Sequence, residues 1–351
     1  MRPAPAGLDG GWNRAMSPDR KGVATPARDL EHERAELLAE VGELYYLHGR
    51  DQNSIAEEVG TSRSNVSRLL TEARRRGIVD IRINHPLGRA LELERRLETE
   101  FALEEARVLA TRPRIAEGRS DALDSLNRVG RLGAVYLLEV LADGLTIGVS
   151  WGTSLESLVN AVAPSRAHTA QVVQLLGGLS WVSQSLSGHV LGRRLADRLG
   201  GRFAYLHAPA IVDSTEARDL LLRQEGIADV LAKGRGADLA LLGIGSLGMG
   251  SSRALFSRSE LTAAERREIR SSGAVGDICA RLFDGEGRPC ELSANRHVVG
   301  LELEDIKAIP RRIGVARGLE KVAGIAGALR GGLVNVLVTD EATAVQVLGR
   351  R

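Results

Sequence analysis

The 351-residue sequence predicts an α/β protein with two parts, an N-terminal helix-turn-helix domain and a larger C-terminal domain built on a parallel sheet. Two observations predict this fold class. Residues 31–85 carry three closely spaced amphipathic helical patterns separated by short turns. From residue 105 onward, short apolar runs without polar alternation alternate with helical segments, which is typical of strands that helices cover on both faces.

The composition excludes several classes of protein. No uncharged apolar run approaches the ~18 residues that a membrane span needs, and charges interrupt the N-terminal segment where a signal peptide would be apolar. The only cysteines, Cys279 and Cys290, form no redox motif, so a reducing, cytoplasmic compartment is expected. The net charge is only +2, so nucleic-acid binding requires a local basic patch.

The N-terminal part begins with a predicted flexible leader, residues 1–30, which mixes Pro, Gly and Ala without a helical or strand period. Three helical patterns follow over residues 33–48, 54–59 and 61–76, and a glycine comes directly after each of them. Alternating residues over 78–83 then predict a strand. The domain predicted from these elements spans residues 31–85.

The third of these helices has the pattern of a DNA-recognition helix. One face is apolar, and the opposite face carries hydroxyl groups and guanidinium groups. Five arginines against one glutamate leave this segment a local charge of +4. Small polar residues let the helix approach a groove, while arginine and asparagine contact bases and phosphates. The predicted DNA-binding residues are Ser62, Arg63, Ser64, Asn65, Ser67, Arg68, Thr71 and Arg75. The alternative is a solvated helix face, and the surrounding turn and strand favour DNA binding.

A linking helix is predicted within residues 86–104, because apolar residues at positions 90, 93, 97 and 101 share one face. Residues 105–351 form the predicted C-terminal domain. Its apolar runs predict five buried parallel strands, over residues 106–110, 145–149, 171–176, 239–244 and 334–339.

Three glycine-rich segments are predicted to follow strands of this domain. The first, Gly148-Val149-Ser150-Trp151-Gly152-Thr153-Ser154, leads into a helix whose N-terminus favours an anion such as phosphate. A loop in which glycine only turns the chain is an equal alternative. The segment matches neither a Walker loop nor the spaced glycines of a dinucleotide site, which disfavours both functions. The second segment spans residues 243–250.

The third glycine-rich segment, residues 273–277, ends at Asp277. This carboxylate either accepts hydrogen bonds from sugar hydroxyls or caps a helix over residues 278–282, and spacing favours neither. Lys321, one of only four lysines, lies near the start of a helix that ends at Arg330. A positive charge there is unfavourable unless an anion neutralises it, although an ordinary exposed lysine is the alternative.

No catalytic or metal-binding constellation is recognisable in the C-terminal domain. His189, His207 and His297 lie alone, without another ligand at metal-binding spacing. No second carboxylate or histidine is placed by spacing beside Asp277 for acid–base catalysis, and no acyl-transfer motif is supported. We therefore expect neither a cofactor nor enzymatic activity.

From about Arg34 to Leu348 the sequence resembles the SorC family of sugar-binding transcriptional regulators. The motifs that carry the resemblance are Gln52-Asn53-Ser54-Ile55-Ala56 through Ser67-Arg68-Leu69-Leu70, Gly148-Val149-Ser150-Trp151-Gly152-Thr153, Gly243-Ile244-Gly245, Gly273-Ala274-Val275-Gly276-Asp277, Leu329-Arg330-Gly331-Gly332 and Thr339-Asp340-Glu341. The resemblance implies a winged-helix-like DNA-binding domain and a Rossmann-like, sugar-isomerase-like domain, usually in a tetramer. It also implies a phosphorylated sugar as the effector that changes operator affinity.

The resemblance assigns the effector-binding residues of this chain. The family's phosphate loop falls on Gly152, Thr153 and Ser154, its sugar-contacting acid on Asp277 and its phosphate-neutralising lysine on Lys321. Gln174 corresponds to a polar pocket residue, and Gly245 of the second glycine-rich loop completes the set. Ser154 replaces a threonine that is common in the family and keeps its hydroxyl, whereas Glu320 beside Lys321 is a departure.

The sequence leaves two functions to compare. One is a transcriptional regulator whose operator affinity depends on a phosphorylated sugar, and the other is a sugar-phosphate isomerase or deaminase with an accessory DNA-binding domain. Both need an anion-binding loop, so the N-terminal helix pair decides in favour of regulation. The expected partners are double-stranded operator DNA, a phosphorylated sugar and further copies of the chain in a dimer or tetramer, with no membrane.

Overall fold

The computed structural model describes residues 26–79, 87–111, 121–179, 183–247 and 263–350. The chain divides into two compact units, residues 1–85 and residues 86–351. Within the described ranges no helix has the length and apolar character needed to cross a membrane. Three predicted features lie wholly or largely outside these ranges, namely the leader up to residue 25, the strand over residues 78–83 and the end of the second glycine-rich loop.

The first unit contains the three predicted helices, α1 (Pro26–Tyr46), α2 (Gln52–Glu58) and α3 (Arg63–Arg75). Helix α1 begins within the predicted leader, because proline suits the first position of a helix and good helix formers follow it. The Asp51 carboxylate caps α2 by accepting the Asn53 and Ser54 backbone N–H groups, and the Ser62 hydroxyl caps α3.

The core of this unit lies between its three helices. The apolar face of α3 packs against buried residues of α1 and α2, and Val66, Leu69, Leu70 and Ala73 form that face as predicted. Arg34 of α1 also donates to Glu72 of α3 at 2.6 Å. The three glycines at positions 49, 60 and 77 all have positive φ, so each supplies the backbone conformation that ends its helix.

The second unit is built on strands that the sequence analysis predicted in part. In the described part of this unit the strands are β1 (Glu105–Leu109), β2 (Thr146–Val149), β3 (Gln171–Gln174), β4 (Arg202–Ala204), β5 (Leu239–Gly243), β6 (Gly276–Ile278), β7 (Arg281–Phe283), β8 (Arg311–Val315) and β9 (Val336–Asp340). Seven of them form one parallel sheet in the order β1-β9-β8-β5-β2-β3-β4, and β6 and β7 form an antiparallel hairpin.

Helices surround this sheet. They are α4 (Leu91–Phe101), α5 (Asp121–Val140), α6 (Thr153–Ala161), α7 (Gly188–Leu199), α8 (Thr215–Leu222), α9 (Glu225–Arg235), α10 (Ala263–Ser271), α11 (Ser293–Arg296), α12 (Leu303–Ala308), α13 (Val322–Arg330) and α14 (Glu341–Leu348). Alternate residues of β5 lie in two different apolar clusters, Leu239 and Leu241 in one and Ala240 and Leu242 in the other. Both faces of the strand are thus buried, which explains why its sequence lacks polar alternation.

The helix predicted as a linker, α4, packs within the second unit. Leu97 is fully buried in the core, and the buried Glu94 carboxylate accepts the Val108 backbone N–H at 2.8 Å. Arg89 pairs with Glu94 through two hydrogen bonds of 2.7 and 2.9 Å. An apolar stripe predicts that a helix is amphipathic but not which surface it covers, so the pattern alone did not reveal that α4 covers β1.

The region around Asp277 differs from its prediction. The third glycine-rich segment follows helix α10 rather than a strand, and it enters the hairpin of β6 and β7. The alternative in which Asp277 caps a helix over residues 278–282 is therefore wrong. The chain turns at Cys279 and Ala280, whose φ angles are 50° and 62°, a conformation that no right-handed helix contains.

Candidate functional site

A cleft lies at the carboxyl ends of β2 and β5, where the strand order reverses direction in the sheet. From β2 the chain continues outward through β3 and β4, while β5 begins the other half of the sheet. Ligands of open parallel sheets bind at such a switch point. The cleft has about 290 Å³ of space between its atoms, and its lining residues are Trp151, Gly152, Thr153, Ser154, Gly243, Ile244, Gly245, Asp277 and Lys321.

Six of the seven predicted effector-binding residues are thus brought together, namely Gly152, Thr153, Ser154, Gly245, Asp277 and Lys321. Parallel strands explain this clustering, because the loops after neighbouring strands emerge at the same edge of the sheet. The first three residues follow β2 and Gly245 follows β5. The other two reach the cleft from the hairpin and from a 3₁₀ turn, Leu319–Lys321.

The start of α6 forms one wall of the cleft. Gly152 has a φ of 118°, a region that favours glycine, and it directly precedes Thr153, the first helical residue. The N-cap residue is Gly152, so no N-cap side chain accepts from the first turn of this helix. The backbone N–H groups of its first turn therefore remain available, together with the Thr153 and Ser154 hydroxyls, for hydrogen bonds to an anion.

Glycines let three backbone segments approach one another beneath the cleft. A Cβ atom added to Gly243 would lie 2.7 Å from the Trp151 carbonyl oxygen, so only glycine allows β5 to end so close to the first loop. A Cβ atom added to Gly276 would lie 2.8 Å from the Gly245 carbonyl oxygen. The glycine-rich sequences thus serve close backbone packing as well as turning.

Asp277 presents a buried carboxyl group at the cleft. The side chain belongs to β6 and the residue is 2% exposed. The Gly245 backbone N–H donates to the Asp277 carbonyl oxygen at 2.9 Å, which ties the hairpin to the loop after β5. A carboxylate in this setting can accept two hydrogen bonds from neighbouring hydroxyl groups of a ligand.

Lys321 supplies the cationic group of the cleft. It is half-buried and comes directly before α13, which agrees with its predicted place near a helix start. Burial lowers the pKa of Lys321 and the nearby Arg317 lowers it further, while the carboxylates of Asp277 and Glu320 oppose this effect. Burial disfavours the charged form of the ammonium group, and an anion bound beside it would stabilise that charged form.

Gln174 is not part of the cleft lining. Its side chain is fully buried, its Nε2 donates to the Leu176 carbonyl oxygen at 2.6 Å, and its Oε1 accepts the Leu206 backbone N–H at 3.5 Å. Both polar groups therefore hold the chain that follows β3. The structure thus gives Gln174 an internal role, and its predicted contact with an effector stays a prediction.

Three cleft residues were not among the predicted effector-binding residues, namely Trp151, Gly243 and Ile244. Each lies within a glycine-rich segment that the sequence analysis quoted, so membership of these segments was the available signal. Trp151 is 5% exposed and is one of the residues that line the cleft. Its fluorescence therefore offers a direct reporter of ligand binding.

The second candidate site is the exposed face of α3 in the first unit. All of the predicted DNA-binding residues are exposed except Asn65, which is half-buried and donates from its amide to Thr61 at 2.8 Å. The Ser62 hydroxyl accepts the Asn65 backbone N–H at 3.3 Å, and Thr71 donates to the Ser67 carbonyl oxygen at 2.9 Å. These hydroxyls therefore have intramolecular partners that a DNA contact would share or replace.

The electrostatics of α3 favour an anionic partner. Its only acidic residue, Glu72, is half-buried between Arg34 and Arg76, with contacts of 2.6 and 2.7 Å. The hydrogen bond from Arg34 lowers the pKa of Glu72, so this carboxylate remains ionised and is neutralised within the unit. Arg63, Arg68 and Arg75 remain exposed, and the positive charge of the helix is thus directed to solvent.

The histidines do not form a metal centre in the described structure. The Tyr205 ring lies between the rings of His189 and His207, with 4.3 Å between centroids on each side. Across the ranges that the structure describes, no three His, Cys, Asp or Glu side chains are grouped in a way that could hold a metal ion.

Comparison with known proteins places both units in a wider context. Residues 85–349 match the protein family described as "Putative sugar-binding domain". The chain is 32% identical to the deoxyribonucleoside regulator of Bacillus subtilis over 315 residues, 90% of this chain and 98% of the relative. It is also 32% identical to the sorbitol operon regulator of Klebsiella pneumoniae over 317 residues, 89% of this chain and 97% of the relative.

Solved structures give the same result for the fold. The crystal structure of the full-length sorbitol operon regulator SorC from Klebsiella pneumoniae superposes with a TM-score of 0.66 and 29% identity, covering 90% of this chain and 99% of that one. A DeoR family transcriptional regulator from Listeria monocytogenes gives a TM-score of 0.65 and 29% identity over 73% of this chain and 98% of its own. The chain therefore belongs to the SorC family of sugar-binding transcriptional regulators.

Proposed function

We propose that this protein is a DNA-binding transcriptional regulator whose affinity for its operator is controlled by a phosphorylated sugar bound in the cleft. One observation carries the proposal. An uncapped helix N-terminus, a half-buried lysine and a buried carboxylate converge in a single cleft at the switch point of the sheet. The first two groups suit a phosphate and the third suits sugar hydroxyls.

The phosphate is assigned to the α6 side of the cleft. The N–H groups of the first turn and the hydroxyls of Thr153 and Ser154 would donate to its oxygen atoms, and Lys321 would supply charge. Hydrogen bonds to an ionised group are roughly twice as strong as neutral ones. A sugar without its phosphate would therefore lose most of its binding energy.

The sugar is assigned to the Asp277 side of the cleft. An ionised carboxylate only accepts hydrogen bonds, so it selects a ligand that presents hydroxyl donors rather than further anionic groups. The identity of the sugar depends on hydroxyl positions that Asp277 can reach. Free phosphate alone would leave this buried carboxyl group without that ligand contact.

DNA is assigned to the exposed face of α3. Its arginines would contact phosphates and base edges, while its small polar residues allow close approach to a groove. One such helix reads only a few base pairs, so we expect at least a dimer that contacts two half-sites about one helical turn apart. Light scattering with and without DNA tests this expectation, and a monomer in both conditions would contradict it.

In the proposed function, binding at the cleft must change the free energy of DNA binding at α3. A ligand changes DNA affinity only if it binds one conformation of the protein more tightly than the other. The same difference makes the coupling reciprocal, so operator DNA would change the affinity for the sugar phosphate by the same factor.

Calorimetry on the full chain tests the cleft assignment. Fructose 6-phosphate, ribose 5-phosphate and glyceraldehyde 3-phosphate would be titrated beside their unphosphorylated parents, with Trp151 fluorescence as a second readout. We expect at least one phosphate to bind and its parent to bind at least ~100-fold more weakly, the cost of losing several charge-assisted hydrogen bonds. Equal affinity for the parent sugar would contradict the assignment.

A matched pair of lysine variants completes this experiment. Lys321→Ala should remove the affinity for the phosphorylated compound, whereas Lys233→Ala changes an exposed lysine on α9 and should leave that affinity unchanged. A Lys321→Ala protein that binds like the parent chain would reject Lys321 as the phosphate-neutralising group.

A further inference from the structure

The hairpin of β6 and β7 connects the two sides of the cleft. Asp277 lies on β6, and Arg281 is the first residue of β7, where it pairs in register with Ile278. The turn between these strands consists of Cys279 and Ala280, both buried and both with positive φ. Residues other than glycine rarely adopt this conformation, so the surrounding structure must hold the turn in place.

The turn also lies against the phosphate side of the cleft. The Ser150 hydroxyl lies beside the Cys279 thiol, and Ser150 directly precedes Trp151 in the loop after β2. Burial raises the pKa of this thiol to about 12, which keeps it neutral and unreactive. The turn of the hairpin thus lies beside the loop that precedes α6, while the carboxylate of Asp277 belongs to the strand before the turn.

Arg281 fixes the hairpin through an unusual set of contacts. It is 3% exposed, and its guanidinium group donates to the backbone carbonyl oxygens of Leu301 at 2.7 Å and Asn295 at 2.8 Å. Longer contacts of 3.3 and 3.4 Å reach two further carbonyl oxygens in the same segment. Glu302 accepts from Arg281 at 2.8 Å and also pairs with Arg218 of α8.

The segment that Arg281 binds, residues 295–302, is itself hydrogen-bonded to the chain that follows β3 and to Ala210. The Leu301 backbone N–H donates to the Leu175 carbonyl oxygen at 3.0 Å, and the Gly177 backbone N–H donates to the Val299 carbonyl oxygen at 2.9 Å. Val299 in turn donates to Ala210 at 2.8 Å. Arg281 therefore ties the hairpin to the chain that extends beyond β3.

From these contacts we infer that Arg281 is a positioning residue for effector recognition. It holds the hairpin so that the Asp277 carboxylate lies where it can accept hydrogen bonds from sugar hydroxyls. The inference rests on the proposed function. A buried arginine with five donors in a fixed plane suits this task better than a lysine, which offers a single charged point. In this role Arg281 contacts no ligand itself and acts through Asp277.

The inference predicts a loss of selectivity rather than of phosphate affinity. Calorimetry would give the ratio of the dissociation constant of inorganic phosphate to that of the tightest-binding of the three sugar phosphates named above. Arg281→Lys should lower this ratio about tenfold, comparable to the loss of a supporting partner in a metal site, with phosphate affinity nearly unchanged. If Arg281 acts only through Asp277, its substitution should have no further effect once Asp277 is replaced. The ratio of the double variant Arg281→Lys/Asp277→Asn should therefore be no lower than the ratio of Asp277→Asn alone.

Controls separate positioning from general stability. Arg89→Lys disturbs another arginine–carboxylate pair of the same unit, in which the carboxylate of Glu94 is buried, and should lower the melting temperature without changing the ratio. If Arg281→Lys does not fold, Glu302→Gln removes the charge of the carboxylate that anchors the guanidinium group and should lower the ratio at least about threefold, as the weakening of one charge-assisted hydrogen bond would.

Each outcome decides the inference. An unchanged ratio in Arg281→Lys, an equal loss of affinity for inorganic phosphate and the sugar phosphates, or additive effects in the double variant would overturn it. In the case of a misfolded Arg281→Lys protein, an unchanged ratio in Glu302→Gln would do the same. A parent chain that prefers no sugar phosphate over inorganic phosphate would instead overturn the proposed function, and the inference with it.

Discussion

The carboxyl group of Asp277 and the ammonium group of Lys321 meet in one cleft, although one belongs to a hairpin strand and the other to a 3₁₀ turn distant in the sequence. Their attraction opposes the effect of burial, which lowers the pKa of Lys321. The cleft thus holds a cation and an anion, and in the proposed function each binds a different part of a sugar phosphate.

The first prediction concerns the pH dependence of phosphate binding. Lys321 carries its charge below its pKa in the free protein and loses it above, so affinity for a sugar phosphate should fall as the pH rises through that pKa. Because this pKa is lowered, the fall should begin below the pH at which an exposed lysine titrates. Calorimetry between pH 7 and about 10 measures the midpoint.

Asp277→Asn sharpens this prediction. The substitution removes a carboxylate that raises the pKa of Lys321, so the midpoint should move to lower pH. An affinity that stays constant through the whole range in both proteins would show that Lys321 does not hold the phosphate.

The second prediction concerns the close backbone approach beneath the cleft. In Gly276→Ala the new Cβ atom would lie 2.8 Å from the Gly245 carbonyl oxygen and 2.9 Å from the Gly324 Cα atom. Backbone atoms cannot move aside cheaply, so the free energy of unfolding should fall by ~1–3 kcal/mol or more. Urea unfolding measures the change.

Gly285→Ala is the matched control, because a Cβ atom there meets nothing within 4 Å and the residue has no positive φ. Its stability should stay within about 0.5 kcal/mol of the parent chain, as for most surface changes. Equal stability of the two variants would contradict the packing described here.

The third prediction concerns DNA binding by α3. Arg68→Ala and Ser64→Ala remove exposed side chains without disturbing the apolar face, so both proteins should fold normally. Each should lose ~1–3 kcal/mol of binding free energy if its side chain contacts a base. Mobility-shift titration with the DNA upstream of the protein's own gene measures the loss.

The control for these variants is Arg76→Ala, whose guanidinium group pairs with Glu72 at 2.7 Å. This arginine is already engaged within the unit, so a smaller loss of DNA affinity is expected. If both Arg68→Ala and Ser64→Ala bound DNA with wild-type affinity, the exposed face of α3 would not be the DNA-binding surface.

The sequence predicted five strands of the large sheet because their residues are apolar on both faces. It missed β8, which begins with Arg311 and Arg312 before its buried half, and β4, which is only three residues long at the edge of the sheet. Arg311 pairs with Glu104 at the start of β8, so its charge is accommodated by a partner far away in the sequence. The local pattern of apolar and polar residues cannot indicate a partner so far away in the sequence.

The part of the cleft that is formed by loops at the ends of parallel strands could be predicted from the sequence. Glycine-rich segments after two parallel strands had to meet at one edge of the sheet, and they do. The placement of Asp277 on a hairpin, and the internal hydrogen bonds of Gln174, depend on tertiary contacts with the chain near Leu206 and residues 295–302. Spacing along the sequence does not specify those contacts.

Control of DNA binding by a sugar phosphate is tested by the operator affinity of the full chain. Fluorescence anisotropy at one fixed salt concentration measures this affinity with and without the sugar phosphate that calorimetry identifies. We expect a change of at least about fivefold with the phosphorylated compound, the lower end of ordinary allosteric coupling, and none with its parent sugar or in Lys321→Ala. We also expect operator DNA to change the affinity for the sugar phosphate by the same factor. Operator affinity that is identical with and without a bound sugar phosphate would contradict the central claim.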